Sequence, residues 1–467
     1  MSTTPATSHP GYVSIAPLLK DLAANTPGNA KTVSPSDISL AFARTFEDRL
    51  NGTQLSALLT LLHSTGFDRH PDVIAKCASA MRDAATQTNP QHLRTVLGKR
   101  KRTLGTYSGG LCDIVGTGGD SHSTFNISTC SSIVASPLLL TAKHGNRAQT
   151  SMSGSADVLA AIRPTPPNIS AVTAEHLPEL YEECNYAFLF APNFHPGMKY
   201  AATVRRELGL RTIFNLMGPL ANPVEEFIEA RVVGVAYQAL GPVFAKALQL
   251  SGATKAMVVC GAEDLDEISC AGPTNCWFLK GGKRKLPKQE VVERAVINGS
   301  EAGEVEAEAQ AGAGTGGTGT DLSRQPSASN GTDEDEDSSS ETEEAVVVAE
   351  VEQFALTPED FGLPRHPLSE VGGGKLPKQN ALTLMSLLKN ELEHDHPILH
   401  FVLMNVAGLL VVSGVCDADE CESGPVITER GPGGQRWKEG VKKARWCIES
   451  GRAVQELEKF IKFSNSL

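Results

Sequence analysis

One short stretch, Asp113–Thr129 (DIVGTGGDSHSTFNIST), narrows the possible folds more than any other. A β-prone run, Leu111–Val115, meets Gly116, Gly118 and Gly119 and is then followed by Asn126, Ser128 and Thr129 at the start of a helical run, Ile127–Ala135. Strand, glycine turn and helix in that order form the unit of an α/β sheet. The turn falls at the carboxyl end of the strand, where open sheets bind ligands. Glycine lets the backbone approach an anion closely, and a helix start aims free N–H groups and the positive end of a dipole at it. The hydroxyls of Ser128 and Thr129 add donors. No Gly-Lys-Ser/Thr follows, so this is not a Walker loop, and the glycine spacing is not that of a Rossmann turn. A glycine turn alone is only a turn; with the Asn-Ile-Ser-Thr helix start attached, it points to a phosphate or diphosphate cradle.

The same alternation continues downstream. Strand candidates lie at Leu138–Ala142, Ala187–Phe190, Arg231–Ala236, Ala256–Cys260 and Trp277–Leu279, with a helix expected around Ala156–Ile162. This predicts a mostly parallel sheet covered by helices. Upstream, Val13 to about Ala85 has helical periodicity. Ile15, Leu18, Leu19 and Leu22 share one face and Leu55, Leu58, Leu59 and Leu62 another, while Ser36 and Asp37 after Pro35 suit a helix start. The expected architecture is α/β: a small helical domain over 13–100, with a contribution from about 192–225, and a large α/β domain over 101–191 and 226–467. Ile398–Val412 is nearly all apolar but too short for a membrane span, which suits a helix buried in the sheet domain. Trp437–Phe460 reads as one amphipathic helix.

Net charge looks informative until it is localised. The chain carries −12 overall, but residues 301–344 alone hold thirteen acids and one base, Arg324. Taking these from the 54 acidic and 42 basic residues leaves 41 of each in the rest of the chain. With no basic excess there, binding to nucleic acid through net charge is disfavoured. Residues 299–344 contain almost no large apolar side chains, so an acidic, disordered insertion is expected, with Ser338–Ser340 a phosphorylation candidate. Residues 1–12, rich in Ser, Thr and Pro, are expected to be mobile and show no signal peptide. Ten cysteines without a CxxC pair fit a reducing, cytoplasmic setting rather than a disulfide framework or zinc knuckle.

Three further clusters carry chemistry. Lys143-His-Gly-Asn-Arg147, just after a strand, offers a point charge suited to phosphate in Lys143, while Arg147 is open to a structural salt bridge. Thr150–Asp157 then supplies hydroxyls before another helix start. Asn193-Phe-His-Pro-Gly-Met-Lys199 leads into Arg205 and Arg206, with Pro196 suited to a first helical turn and His195, Met198 and Arg205 near one face. A guanidinium beside apolar groups suits an aromatic carboxylate, although an amphipathic helix with its Arg in water reads equally well. Glu263-Asp-Leu-Asp266-Glu267 follows a strand; near a diphosphate cradle such carboxylates suit Mg²⁺.

Taken together and in order, GTGGDSHSTFNIST (116–129), KHGNR (143–147), SGSADVL (153–159), FLFAPNFHPGMK (188–199), RTIFNLMGPLANP (211–223) and DLDEIS (264–269) resemble the anthranilate phosphoribosyltransferases of tryptophan biosynthesis. The resemblance covers most of the chain outside the acidic insertion. It implies a helical domain hinged to an α/β domain, commonly a homodimer paired through the helical parts. The reaction implied joins anthranilate to phosphoribosyl diphosphate, giving phosphoribosyl-anthranilate and diphosphate with Mg²⁺. By position, Gly116, Gly119, Asp120, Asn126, Ser128, Thr129 and Lys143 look like the phosphoribosyl-diphosphate site. Ser128, Asp266 and Glu267 look like metal ligands, and Asn146, His195, Arg205 and Gly218 like anthranilate contacts, with His144 and Met198 nearby. The resemblance implies no acid–base residue, no nucleic acid and no membrane.

The sequence departs from the family pattern at Ser121, where glycine is common, at Thr150 for a serine, at Met152 for a frequent lysine, at Cys260 for a histidine and at Gly197 for alanine. None of these removes a group assigned above. The alternatives are a nucleoside phosphorylase-like enzyme, a non-catalytic nucleic-acid-binding relative, and a scaffold acting through its acidic insertion.

Overall fold

The computed structural model describes residues 11–25, 33–148, 153–283, 347–374 and 376–467. The expectations for the acidic insertion, for Thr150 and Met152 and for most of the N-terminal tail lie outside the described residues.

Four helices open the chain: α1 (Ala16–Ala23), α2 (Pro35–Phe46), α3 (Gly52–Thr65) and α4 (Pro71–Asp83). Helix α2 begins one turn-residue earlier than Ser36 and Asp37 suggest. Ser34 is the N-cap, accepting from the backbone N–H groups of Ser36 and Asp37, with Pro35 in the first turn where its missing N–H costs nothing. Leu55, Leu58, Leu59 and Leu62 of α3 are fully buried, as their spacing predicts. Truncating any one to Ala would cost roughly 2–5 kcal/mol.

Helix α5 (Pro90–Arg100) corrects the expected boundary near residue 100. It packs on α8 (Leu177–Glu183), and its Leu93 and Val96 join the core beneath the sheet rather than that of the bundle.

The sheet follows: β1 (Leu111–Gly116), β2 (Leu140–Gly145), β3 (Tyr186–Phe190), β4 (Ile228–Gly234), β5 (Ala256–Gly261), β6 (Thr274–Lys283) and β7 (Val347–Leu356). Their order is β3-β2-β1-β4-β5-β6-β7. The first five are parallel to their neighbours, while β6 and β7 add antiparallel at one edge, giving a mostly parallel sheet. Strand β2 starts and ends later than Leu138–Ala142, so Lys143 and His144 lie in the strand itself rather than after it. The long β7 has no counterpart in the sequence reading, which resumes order only at Phe354.

Side chains alternate across the sheet, and the two faces bury against different partners. Val232, Met257, Val259, Cys276 and Phe278 join a core with the apolar helix Pro397–Ser413 and with α6 (Ile127–Ala135). Val233, Val258, Cys260, Trp277 and Leu279 face α12 (Leu240–Leu250) and the helical bundle. The bundle is thus docked on the sheet through α12, which contacts α4. The Pro397–Ser413 helix is buried on every side, which explains its unbroken apolar sequence.

The 191–217 region is not one helix. It runs through α9 (Ala191–Phe194), a 3₁₀ turn at Pro196–Met198, α10 (Lys199–Leu208) and α11 (Ile213–Met217). Helix α10 packs on α2 and α3, and its Ala201 and Val204 join the bundle core. A Cβ at Gly197 would lie 2.7 Å from the Phe46 carbonyl oxygen, so the family's alanine would not fit this contact unchanged. The C-terminal stretch is likewise two helices, Trp437–Glu449 and Arg452–Ser466, divided at Gly451 with φ +71°. Among the described residues, no helix is long and apolar enough to cross a membrane.

Candidate active site at the carboxyl ends of the strands

The turn after β1 meets the loop after β5. A Cβ at Gly116 would collide with the Asp266 carboxylate, and one at Gly234, at the end of β4, with the Asp266 backbone. The Gly118 N–H donates to Asp266 Oδ2 at 2.6 Å. Part of what these glycines permit is therefore the approach of an acidic loop. The sequence reading gave that approach to an anion alone.

Gly119, at φ +84°, takes a conformation that side chains rarely adopt. A Cβ there would overlap the Arg211 guanidinium, which donates to the Gly118 carbonyl at 2.8 Å. Arg211 stands inside a recognised motif, yet the sequence reading gave it no role; only the fold shows that it covers the turn.

Carboxylates crowd beside this turn. Burial and the neighbouring Asp266 raise the Asp120 carboxyl to about 7. Burial and the charges of Asp266 and Asp120 push Glu267 well above the usual carboxylate range, against the pull of Lys143 and of a hydrogen bond from the Ser128 backbone. Lys143 is buried, 2% exposed. Burial lowers its pKa, while Asp113, Glu267 and Asp266 pull it back up. Asp113, Asp266 and Glu267 sharing one buried ammonium, with Asp120 beside Asp266, fit a group that brings positive charge, which is what a cation entering with a diphosphate provides. No compact set of three or more ligating side chains is preformed for a metal among the described residues, so substrate oxygens and water would have to complete its shell.

The helix start on the other side of the turn is already braced. The Asn126 side chain donates to the Ser153 carbonyl at 2.9 Å, and Thr129 Oγ1 donates to Asn126 Oδ1 and is hydrogen-bonded to Ser155 Oγ, both at 2.8 Å. Every residue of α6 is buried except Ser128, which is half-buried and whose backbone is hydrogen-bonded to Glu267. The open choice at Arg147 resolves to a salt bridge with Asp157 at 3.1 Å.

A second glycine loop pairs with the segment between that turn and α6. Phe125 N–H donates to the Val371 carbonyl at 3.0 Å and Gly373 N–H to the Ser123 carbonyl at 2.9 Å. The run Gly372–Gly374 is a visible sequence signal that the sequence reading did not use.

Deeper along β2, His144 and His195 stack edge-on, with centroids 5.1 Å apart. Burial drives both imidazoles towards neutrality, His195 to about 4. His195 contacts the Ala221 carbonyl at 3.0 Å, and the Gly218 backbone is hydrogen-bonded to His144. The Arg205 guanidinium lies 4.9 Å from the Phe214 ring centroid, and burial lowers its pKa. His195 sits at the break before the 3₁₀ turn, with φ −121° and ψ 64°, so the one-face spacing expected for His195, Met198 and Arg205 does not hold. What draws His195 and Arg205 to one region is the 213–221 segment that both touch. Asn146 is exposed at the mouth, its side-chain oxygen accepting from the Arg147 N–H at 2.8 Å.

Beneath the site, Asn222 donates to Asp113 Oδ2 and to the Ala142 carbonyl, both at 3.0 Å, and Arg231 pairs with Glu225 at 2.7 Å. This polar underpinning was not anticipated. It tethers the RTIFNLMGPLANP segment to β1 and β2.

Two family models match the chain. One described as "Glycosyl transferase family, a/b domain" covers residues 108–319 and 326–454, and one described as "Glycosyl transferase family, helical bundle domain" covers 16–85. An anthranilate phosphoribosyltransferase from Schizosaccharomyces pombe is 35% identical over 413 residues, 87% of this chain and 86% of that protein. The Saccharomyces cerevisiae protein of the same name is 30% identical over 422 residues, 89% of this chain and 87% of its own length. Its solved structure in complex with PRPP and Mg matches with a TM-score of 0.69 at 27% identity, covering 97% of this chain and 99% of that one. The same protein with 4-fluoroanthranilate matches at a TM-score of 0.66 and 26% identity, again over 97% and 99%.

Proposed function

The chain belongs to the anthranilate phosphoribosyltransferase family, and from that premise we propose how its residues divide the transfer of a phosphoribosyl group from phosphoribosyl diphosphate to the amine of anthranilate. The observation that carries the reading is the meeting of the glycine turn with the Asp120–Asp266–Glu267 cluster, joined through Lys143 and His144 of β2 to His195.

Gly116, Gly119, Asp120, Asn126, Ser128, Thr129 and Lys143 bind the sugar diphosphate. Backbone N–H groups of the turn and the start of α6 face the phosphates. Arg205, with Asn146, His195 and the Gly218 backbone, orients the aromatic acid; a guanidinium forks onto its carboxylate. The neutral, buried His195 adds no charge to the acceptor pocket. Ser128, Asp266 and Glu267 would hold Mg²⁺, which neutralises the leaving diphosphate.

The residues themselves need little proton chemistry. The aniline nitrogen is uncharged at neutral pH and attacks the ribose C1 carbon directly, through an oxocarbenium-like transition state. Positioning and charge complementarity then account for catalysis. We further propose that the bundle closes on the sheet to exclude water, and that the protein is a cytoplasmic homodimer paired through the bundle. The known association habits of the family support this; light scattering after gel filtration tests the dimer.

Anthranilate fluorescence decides the main reading. Loss of signal that needs protein, phosphoribosyl diphosphate and Mg²⁺ together is expected. Turnover of a nucleoside with phosphate instead would replace it with a phosphorylase.

A further inference from the structure

At the opposite end of the sheet, where the chain enters β1 and β2, lies a cavity of about 570 Å³, within the size range of small-molecule sites. Its walls include Arg100, Lys101, Arg102 and Arg452 against Glu420 and Glu422, together with Cys421. Arg452 is paired with Glu422 at 2.7 Å and stacks on Trp446. Burial lowers the Arg102 pKa, and Arg100 and Arg452 lower it further, against the opposing pull of Tyr107 and Glu456. Such a cavity suits an anion.

The thiol in its wall is distinctive. Of ten cysteines, nine are buried and Cys421 is half-buried. Its sulfur lies 2.9 Å from Ser423 Oγ and accepts from the Ser423 N–H at 3.4 Å. Lys443 is wholly buried, and its Nζ makes no hydrogen bond although it is ion-paired with Glu439 at 3.3 Å. Its charge acts on the Cys421 thiol. The charge of Lys443 and the contacts with Ser423 outweigh burial and hold the Cys421 thiol below its ordinary value, whereas burial pushes Cys184, Cys260 and Cys270 up to about 12. Thiolate character with partial access is what separates reactive from inert cysteines.

We propose that Cys421 is a thiol-modification site whose sulfur attacks a small anionic disulfide of the glutathione class seated in this arginine-lined cavity. The Cys421 proton passes to solvent. The thiolate forms a new sulfur–sulfur bond, the disulfide bond of the small molecule breaks, and the electron pair leaves on its other half as a thiolate. No further oxidant is needed. The carboxylates of the bound half would face Arg100, Lys101 and Arg102.

The test uses the full-length protein and oxidised glutathione, with intact mass and peptide mapping as readout. A single glutathionyl adduct on Cys421, removed by dithiothreitol and absent in Cys421→Ser, is expected. That variant should keep wild-type transferase activity, because Cys421 is remote from the candidate active site. A neutral disulfide, 2-hydroxyethyl disulfide, should react with Cys421 more slowly than oxidised glutathione at equal concentration. Lys101→Ala, at an exposed position, should narrow that gap at least twofold. An adduct on a different cysteine, or none on active protein, would overturn the site. Equal rates with both disulfides would overturn the role of the cavity.

Discussion

At the carboxyl ends of β1 and β5, three carboxylates surround one buried lysine; at the amino ends of β1 and β2, four cationic side chains line a cavity against two carboxylates. The same sheet separates the two. Both ends are proposed above to take negatively charged molecules, but by opposite means. The cavity attracts an anion directly through its excess of guanidinium groups. The strand ends supply backbone N–H groups and leave a deficit of positive charge, which makes the binding of an anion depend on a cation arriving with it. A site built this way is selective for a metal-complexed diphosphate over a bare one, because the carboxylates repel the bare anion.

The most direct way to break that contrast is to neutralise the carboxylates. Asp266→Asn combined with Glu267→Gln should lower kcat by roughly 10²–10³-fold, the scale of losing charge stabilisation at a leaving group. It should also blunt the dependence on Mg²⁺, read as the initial rate of anthranilate fluorescence loss across a magnesium titration. Wild-type kinetics in this double variant would end the assignment of the strand ends as the cation-dependent side.

Arg205→Ala comes next. Removing a charge-assisted contact to a carboxylate costs about 1.5–3 kcal/mol, so KM for anthranilate should rise on the order of 10–100-fold with kcat much less changed. An equal fall in kcat at unchanged KM would place Arg205 on the phosphoribosyl side instead.

The turn itself offers a graded test. Gly119→Ala combines positive-φ strain with a collision against Arg211, and should raise KM for phosphoribosyl diphosphate roughly tenfold. Gly118→Ala at φ +61° carries the same kind of strain but meets nothing within 4 Å, so its effect should be smaller. Equal effects would mean that the contact with Arg211 is incidental.

Which parts were legible in the sequence follows from the range of the forces involved. The Ile127–Ala135 helix was read to the residue, and β1, β3 and β5 to within one, because local periodicity and flanking glycines define them. The edge strand β7 was missed because its ten residues pair only with β6, across a long intervening segment, and alternate charge with apolar side chains on an exposed edge. The single helix expected for 437–460 failed because an amphipathic pattern persists across Gly451, whose positive φ is visible only in the fold. At the site, Gly116 and Lys143 lie at or near strand ends, where a local motif is legible. The residues missed act across the fold: Arg211 on the Gly118 carbonyl, Asn222 under Asp113, and the Gly372–Gly374 loop on Ser123. Separations of about a hundred residues or more leave no local signature in a single sequence.

The finest discrimination between the strand ends and the rest of the molecule is in the pH dependence of stability without metal. His195 is held at about 4 when folded, against an ordinary value near 6.5. Between those values the unfolded chain binds the extra proton, so this group destabilises the fold as pH falls from 6.5 to 4 and has no such effect above 6.5. The size of the effect is at most about 3 kcal/mol. Asp120 works in the reverse sense. Held at about 7 against an ordinary 3.8, it binds a proton in the fold across that window, so its contribution weakens as pH rises through 7. Urea midpoints from pH 4.5 to 8 should therefore show His195→Asn losing less stability on acidification than wild type, and Asp120→Asn losing less as pH rises from 4.5 to about 7. Adding Mg²⁺ should mimic the second variant and not the first, since the cation relieves carboxylate repulsion and leaves a buried imidazole untouched. Identical acid slopes for wild type and His195→Asn would show that the imidazole already carries its proton in the folded protein, and the acceptor pocket would then be a charged one.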